Sequence, residues 1–257
     1  MAVMREWRWS ALEFRVLWES TGRDVLPYPL RHRPSELIRE DYDRTRREAA
    51  KRLVAQWDDD LVQAVLVLLE PEVRVEVAGM LGPRKDGRLR LHAARRAEYG
   101  ALAVQEPGRD PEEAGDVRLS LFAADLLAPA VVRQLPKCAR GQGKPIQIPV
   151  AELDDPLPVA RDHWRPTPRE EFETFLRRPS TATIHVAVYP FGSVDNRHTE
   201  GRKDFQLTDV ENDGRYVTFG THTVYIKPTE SPRVTRTLSD MITATLREVH
   251  TGDHAPR

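Results

Sequence analysis

Two groups of side chains carry the types that do chemistry. Asp154 and Asp155 with His163 offer a carboxylate–imidazole pair of the kind that moves a proton. Asp195, His198, Glu200 and Asp204 offer donors for a divalent metal. Neither group has the fixed helical spacing that makes an HExxH site specific, and both lie in loops punctuated by proline or glycine, where such residues are common for turn reasons. Cys138 is the single cysteine, which leaves no disulfide framework and no cysteine zinc cage. The sequence has no GxSxG elbow and no glycine-rich phosphate loop. His185 lies between Ile184 and Val186 on the opposite strand face and reads as a surface residue. The expectation is a protein that is not an enzyme, with no catalytic residues, metal or cofactor.

A basic cluster suggests different chemistry. Arg84, Lys85, Arg88, Arg90, His92, Arg95 and Arg96 follow one another with Asp86 as the only carboxylate among them. Association with nucleic acid through residues 84–96 is therefore the alternative function. No helix-turn-helix, zinc finger or aromatic ribonucleoprotein pattern accompanies it. On a strand, Arg88, Arg90 and His92 share one face opposite Leu89 and Leu91, which reads as the wet side of a half-buried sheet. The whole chain has 257 residues, 31% of them charged, and a net charge of -1, so no global field draws it to polyanions or membranes.

The elements follow from periodicity. Ser10 with Glu13 forms a capping-box pattern ahead of a helix to Glu19. Pro27-Tyr28-Pro29-Leu30 is extended. Pro34-Ser35 opens a long helix to about Trp57, in which Glu40/Arg44, Asp43/Arg47 and Glu48/Arg52 stand at i,i+4 and neutralise its wet face. Asp58 to Asp60 start the next helix, to about Glu70. Its apolar run, Leu61 to Leu69, is about half the length of a membrane span. Alternation of period two then marks strands at Val73–Val77, Leu89–Leu91, Tyr99–Gln105 and Val117–Leu121, and Ala123–Leu135 returns to helix. A proline-rich stretch from Pro136 to Pro168 follows, with a short strand possible at Ile146–Ile148. Beyond a helix at Pro168 come strands at Ile184–Val188, Phe205–Val210, Tyr216–Phe219 and Val224–Ile226. A closing helix runs from Pro232 to His250, with Ser231 as N-cap. Trp7, Trp9, Trp18, Trp57 and Trp164 read as core or seam packing.

Each half thus has helix, strands, then a closing helix. The chain reads as one α+β domain over residues 1–257, with pseudo-halves at about 1–135 and 168–257 joined by the connection 136–167. Neither half alone has enough strands to cover its sheet edges. One continuous antiparallel sheet is therefore expected, with the connection draped over it. The first ten residues lack an apolar core followed by a small-residue cleavage site, so a cytoplasmic location is expected.

In this order and spacing the chain resembles the EspG family of type VII (ESX) secretion. The resemblance rests on Ala11-Leu12-Glu13-Phe14 through Trp18 with Leu26-Pro27-Tyr28-Pro29-Leu30, on the helical pair before Val73–Ala78, on Gly143-Lys144-Pro145-Ile146-Gln147-Ile148-Pro149 with Glu152-Leu153, and on Gly214-Arg215-Tyr216 running into Val224-Tyr225-Ile226-Lys227-Pro228. It implies a central, mostly antiparallel sheet with flanking helices and quasi-two-fold halves. It also implies a cytosolic chaperone that holds PE–PPE-like heterodimers at the PPE tip, without membrane insertion. The resemblance further places partner contact on the strand-joining loop Leu81, Gly82, Pro83, Arg84, Lys85, Asp86 and Gly87. There Leu81 would be the apolar anchor, and Arg84 and Lys85 would pair with carbonyls or carboxylates at a helix end.

Overall fold

Alternating valines and leucines become strand where the pattern says they should. Val73, Val75 and Val77 are fully buried in β2 (Val73–Leu81), and Leu89, Leu91 and Ala93 are buried in β3 (Gly87–Arg96). With β4 (Tyr99–Pro107) and β5 (Ala114–Ala123) they form a four-stranded meander. A second meander comprises β7 (Ser180–Pro190), β8 (Lys203–Val210), β9 (Gly214–Phe219) and β10 (Thr223–Pro228). An edge strand precedes each: β1 (Val3–Trp9) pairs with β5, and β6 (Ile146–Pro149) pairs with β10. This computed structural model describes residues 3–34, 38–110, 113–154, 166–193, 196 and 200–252.

The meanders meet at β2 and β7, in antiparallel register from Val73↔Pro190 to Leu81↔Ala182. One ten-stranded sheet results, in the order β1-β5-β4-β3-β2-β7-β8-β9-β10-β6. Counted outward from the β2–β7 seam, both sides are built in the same sequence of elements. The single sheet is as expected. The proline-rich connection is more than a drape, because its Ile146–Pro149 segment is the outermost strand. Pro145 and Pro149 suit an edge, where a missing N–H costs no ladder bond.

Helices close both faces. On one side α4 (Leu127–Arg133) and α7 (Ser231–Thr251) cover the apolar rows of β2, β3 and β7, with Val234, Leu238, Ile242 and Leu246 buried. α7 begins at Ser231, with Glu230 as N-cap and no side-chain cap, one residue earlier than expected. Gly252, at φ 80°, ends it in the left-handed region that glycine tolerates. On the other side α1 (Ala11–Glu19), α2 (Arg39–Val54) and α3 (Asp59–Leu69) enclose a core with Trp7, Trp9, Phe14, Trp18 and Leu61. The capping box of α1 forms as expected, with Ser10 Oγ accepting from Glu13 N at 3.2 Å and Glu13 Oε2 accepting from Ser10 N at 2.8 Å. Arg46 and Arg52 of α2 reach Glu19 and Glu13 of α1, so part of its charge clamps two helices together instead of neutralising its own wet face. Ser35, the expected start of α2, is outside the described residues. Two short helices, α5 (Val150–Asp154) and α6 (Pro168–Leu176), flank the second edge, where Phe175, Tyr216 and Ile226 pack together.

Two expectations fail here. Trp57 is exposed in the turn between α2 and α3, while Trp7, Trp9 and Trp18 are core; Trp164 is outside the described residues. Arg90 and His92 are not on a wet face either: they are 4% and 3% exposed. The segment at 26–31 is not extended as expected but turns at Tyr28–Pro29, where Leu30 N donates to Pro27 O at 2.9 Å, and it lies over them as a strap. His92 Nδ1 bonds the Tyr28 carbonyl at 2.8 Å, and Gln105 both donates to Arg31 O at 2.6 Å and accepts from Arg31 N at 2.8 Å. Asn196, from the other half, donates to Leu26 O and accepts from Tyr28 N. A polar strand face can be roofed by the chain itself, and local alternation carries no sign of that.

Burial pushes the His92 imidazole down from 6.5 to about 4, with the nearby Arg74 charge acting in the same direction. The folded state therefore binds fewer protons than the unfolded state between those values, and stability is lost as pH falls through that window. Glu76, beside Arg74, has its carboxyl pushed up by burial and works in the opposite sense. Comparing the wild type with His92→Gln removes that contribution. Urea unfolding at pH 7 and pH 4.5 should show the wild type losing about 2–3 kcal/mol more than the variant. Equal losses in the two proteins would mean that His92 accepts a proton in place.

Candidate interaction surface

The β2–β3 hairpin carries the loop singled out in the sequence. Its turn is rigid for local reasons. Gly82 sits at φ 85°, where a side chain is strained, Pro83 fixes the next φ, and Lys85 N donates back to Gly82 O at 2.9 Å. Lys85, at φ 54°, completes the reversal, and Arg88 Nη1 donates to its carbonyl at 2.6 Å. Pro83, Arg84, Lys85 and Asp86 are exposed, Arg84 at 89% of its side chain, with an Arg84–Asp86 ion pair of 3.2 Å. Leu81 is not the exposed anchor. It shares the parity of Val73, Val75 and Val77 and packs half-buried on the α4–α7 core. The exposed apolar residue at this tip is its neighbour Met80, on the opposite face.

The base of the loop is tied to the second half. Gly82 N donates to Thr181 O at 2.7 Å, and Thr181 Oγ1 donates to Asp209 O at 3.3 Å. Asp209 and Arg215 form a buried ion pair, 2% and 0% exposed, through two bonds of 2.6 and 2.7 Å. Arg215 also donates to Pro136 O at 2.8 Å, and its backbone bonds Ala139 O and Gly141 N. This node fastens the connection to β9 at the same end of the sheet as the loop. Burial pushes the neighbouring Cys138 thiol up, and the Asp209 charge adds to it, so the reactive thiolate is disfavoured. α7 starts near this end and runs back until His250 meets Glu72 at 3.1 Å, with Arg233, Arg236 and Arg247 exposed along its flank.

Among the described residues the chemistry-bearing groups do not assemble. Asp204 accepts from His185 at 2.7 Å and pairs with Arg202 at 3.5 Å, Glu200 is exposed elsewhere, and Asp195 and His198 are outside the described residues. His185 is a surface residue as read, its side chain partly exposed and partnered by Asp204. Among the described residues no three His, Cys, Asp or Glu side chains are placed to hold a metal. Asp155, His163 and the side chain of Asp154 are outside the described residues. The basic cluster is also dispersed: Arg90 and His92 lie under the strap, and Arg96 pairs with Glu70. Among the described residues no helix is long and apolar enough to cross a membrane.

The geometry defines an α+β protein built on one long antiparallel sheet, with charge gathered on a rigid hairpin tip. A family model matches residues 10–240, and the chain belongs to the EspG family. Compared sequence to sequence, no curated protein matches. Among solved structures, the chain is similar to the Mycobacterium tuberculosis type VII secretion system chaperone EspG5 in complex with the PE25–PPE41 dimer. The TM-score is 0.59 at 13% identity, covering 94% of this chain and 96% of that one.

Proposed function

We propose that this protein is a cytoplasmic, non-enzymatic chaperone of type VII secretion that binds a PE–PPE-like heterodimer and keeps it soluble. It acts as one domain, with like-ordered halves at about 1–135 and 168–257. The partner meets the loop Leu81, Gly82, Pro83, Arg84, Lys85, Asp86 and Gly87. The observation that carries this reading is the hairpin tip: a turn held by its own backbone bonds, anchored to both halves, and presenting charged side chains that have no core role. Such a pre-formed, charged rim beside apolar surface suits protein recognition. Family membership supports it, as does likeness to a chaperone solved with a PE–PPE pair. Nothing favours nucleic acid, because the cluster that suggested it is partly buried.

The test is co-expression of this chain with a PE–PPE-type heterodimer encoded beside its gene, followed by gel filtration. A single co-eluting complex that survives high salt is expected. Separate elution of a folded chaperone and a folded heterodimer would overturn the reading.

A further inference from the structure

α7 crosses the sheet over β2 and β7 and leaves part of the second meander bare. The β8–β9 ladder stops at Gln206↔Thr218, although β8 continues beside β7 as far as Lys203↔Val188. Strands β8 and β9 therefore part beyond that row, and a groove of about 750 Å³ opens between the splayed strands and α7. Its floor includes Phe205, Val217, Val224 and Met241. Phe219 stacks on Tyr225 with centroids 5.3 Å apart at one wall and is itself exposed. The rim is cationic. Lys227 lies 4.9 Å over the Tyr225 ring and 5.4 Å over Phe219, and Arg233 projects from the first turn of α7. Lys203 is taken up by Glu248, and Arg202 by Asp204.

We propose that this groove is a second docking site for the partner, and that it takes an apolar side chain with a carboxylate next to it. The proposal rests on the chaperone reading above. The argument is complementarity of two kinds. Phe219, Val217 and Met241 form an apolar cleft deep enough for a side chain of leucine or phenylalanine size, and burying such a group is the main source of affinity at a hot spot. Lys227 and Arg233 sit at its mouth, and among the described residues no carboxylate forms an ion pair with either, so an anion entering beside the apolar group meets both. A neutral or basic segment would lose this second half of the fit.

The probe is 1-anilinonaphthalene-8-sulfonate, an apolar ring system with one negative charge. Saturable binding to the wild type is expected. Phe219→Ala with Met241→Ala should weaken it about tenfold, and Lys227→Glu with Arg233→Glu should weaken it to a similar degree, each variant checked for an unchanged melting profile. Absence of a saturable site, or affinity unaltered in both folded variants, overturns the proposal. The same variants are then tested against the co-expressed heterodimer. Loss in both assays supports the groove as a docking site. If dye binding is lost but heterodimer binding is kept, the groove is apolar but unused, and the chaperone reading survives without it. If the wild type itself does not bind the heterodimer while dye binding behaves as expected, the chaperone reading fails, and the groove loses its proposed occupant with it.

Discussion

Replacing Arg215 by methionine should destabilise the protein by about 3–5 kcal/mol, a large fraction of the stability of an ordinary domain. The pair it breaks is fully enclosed: Asp209 is 2% exposed and Arg215 has no exposure. Removing the guanidinium strands a carboxylate without water and also removes the donor to Pro136 O. The cost lies mainly in the stranded charge. Asp209→Leu combined with Arg215→Met should therefore recover most of the loss, since hydrophobic replacements of buried pairs are often near neutral. Urea unfolding of the two variants separates these contributions. A double variant as unstable as the single would show that the bonds to the connection, and not the stranded charge, dominate. A further expectation concerns the hairpin, because Asp209 O accepts from Thr181, which in turn holds Gly82. The single variant should show faster amide exchange at the base of the loop.

Arg84→Glu with Lys85→Glu should weaken heterodimer binding by at least ~2 kcal/mol, roughly thirtyfold, and leave folding intact. Both side chains are exposed, and the Arg84–Asp86 pair at the surface contributes little to stability. The turn keeps its shape, because Gly82, Pro83 and the Lys85-to-Gly82 backbone bond set it, and glutamate at φ 54° is no worse placed than lysine. Two charge reversals at a partner's rim act on the complex alone. A pull-down with circular dichroism as the folding control measures the effect. A folded double variant that retains full binding places the contact elsewhere.

The sheet was legible because its information is local. Valine alternation in β2 and a capping box at Ser10 each declare an element without reference to anything distant. The run Asn212-Asp213-Gly214 is an equally local turn signal, and it joins β8 to β9. β1 went unread even though Trp7 and Trp9 alternate with Arg8, since its mate is β5 and no nearby turn announces the pairing. The wet reading of Arg90 and His92 failed for a related reason. Their cover comes from residues 26–31, more distant in sequence than any periodicity reaches. Leu81 could have been placed correctly, because its parity with Val77 already turned it inward. The groove beside α7 was not legible, since it depends on where one ladder stops and on how a helix crosses the sheet.

The seam between β2 and β7 has a consequence for the time at which the molecule is made. A ribosome completes the first meander with β2 at its rim, and β7 does not exist until the chain has passed residue 180. At roughly 5–20 residues per second this interval is on the order of ten seconds. Throughout it, the row bearing Val73, Val75 and Val77 has a neighbour on one side only and an open edge on the other. An unmated inner edge of this kind is the most adhesive part of a half-made sheet. A nascent chain arrested before residue 180 should therefore aggregate or recruit nascent-chain chaperones, whereas the full-length chain, in which β7 is mated by β2 and β8, should not.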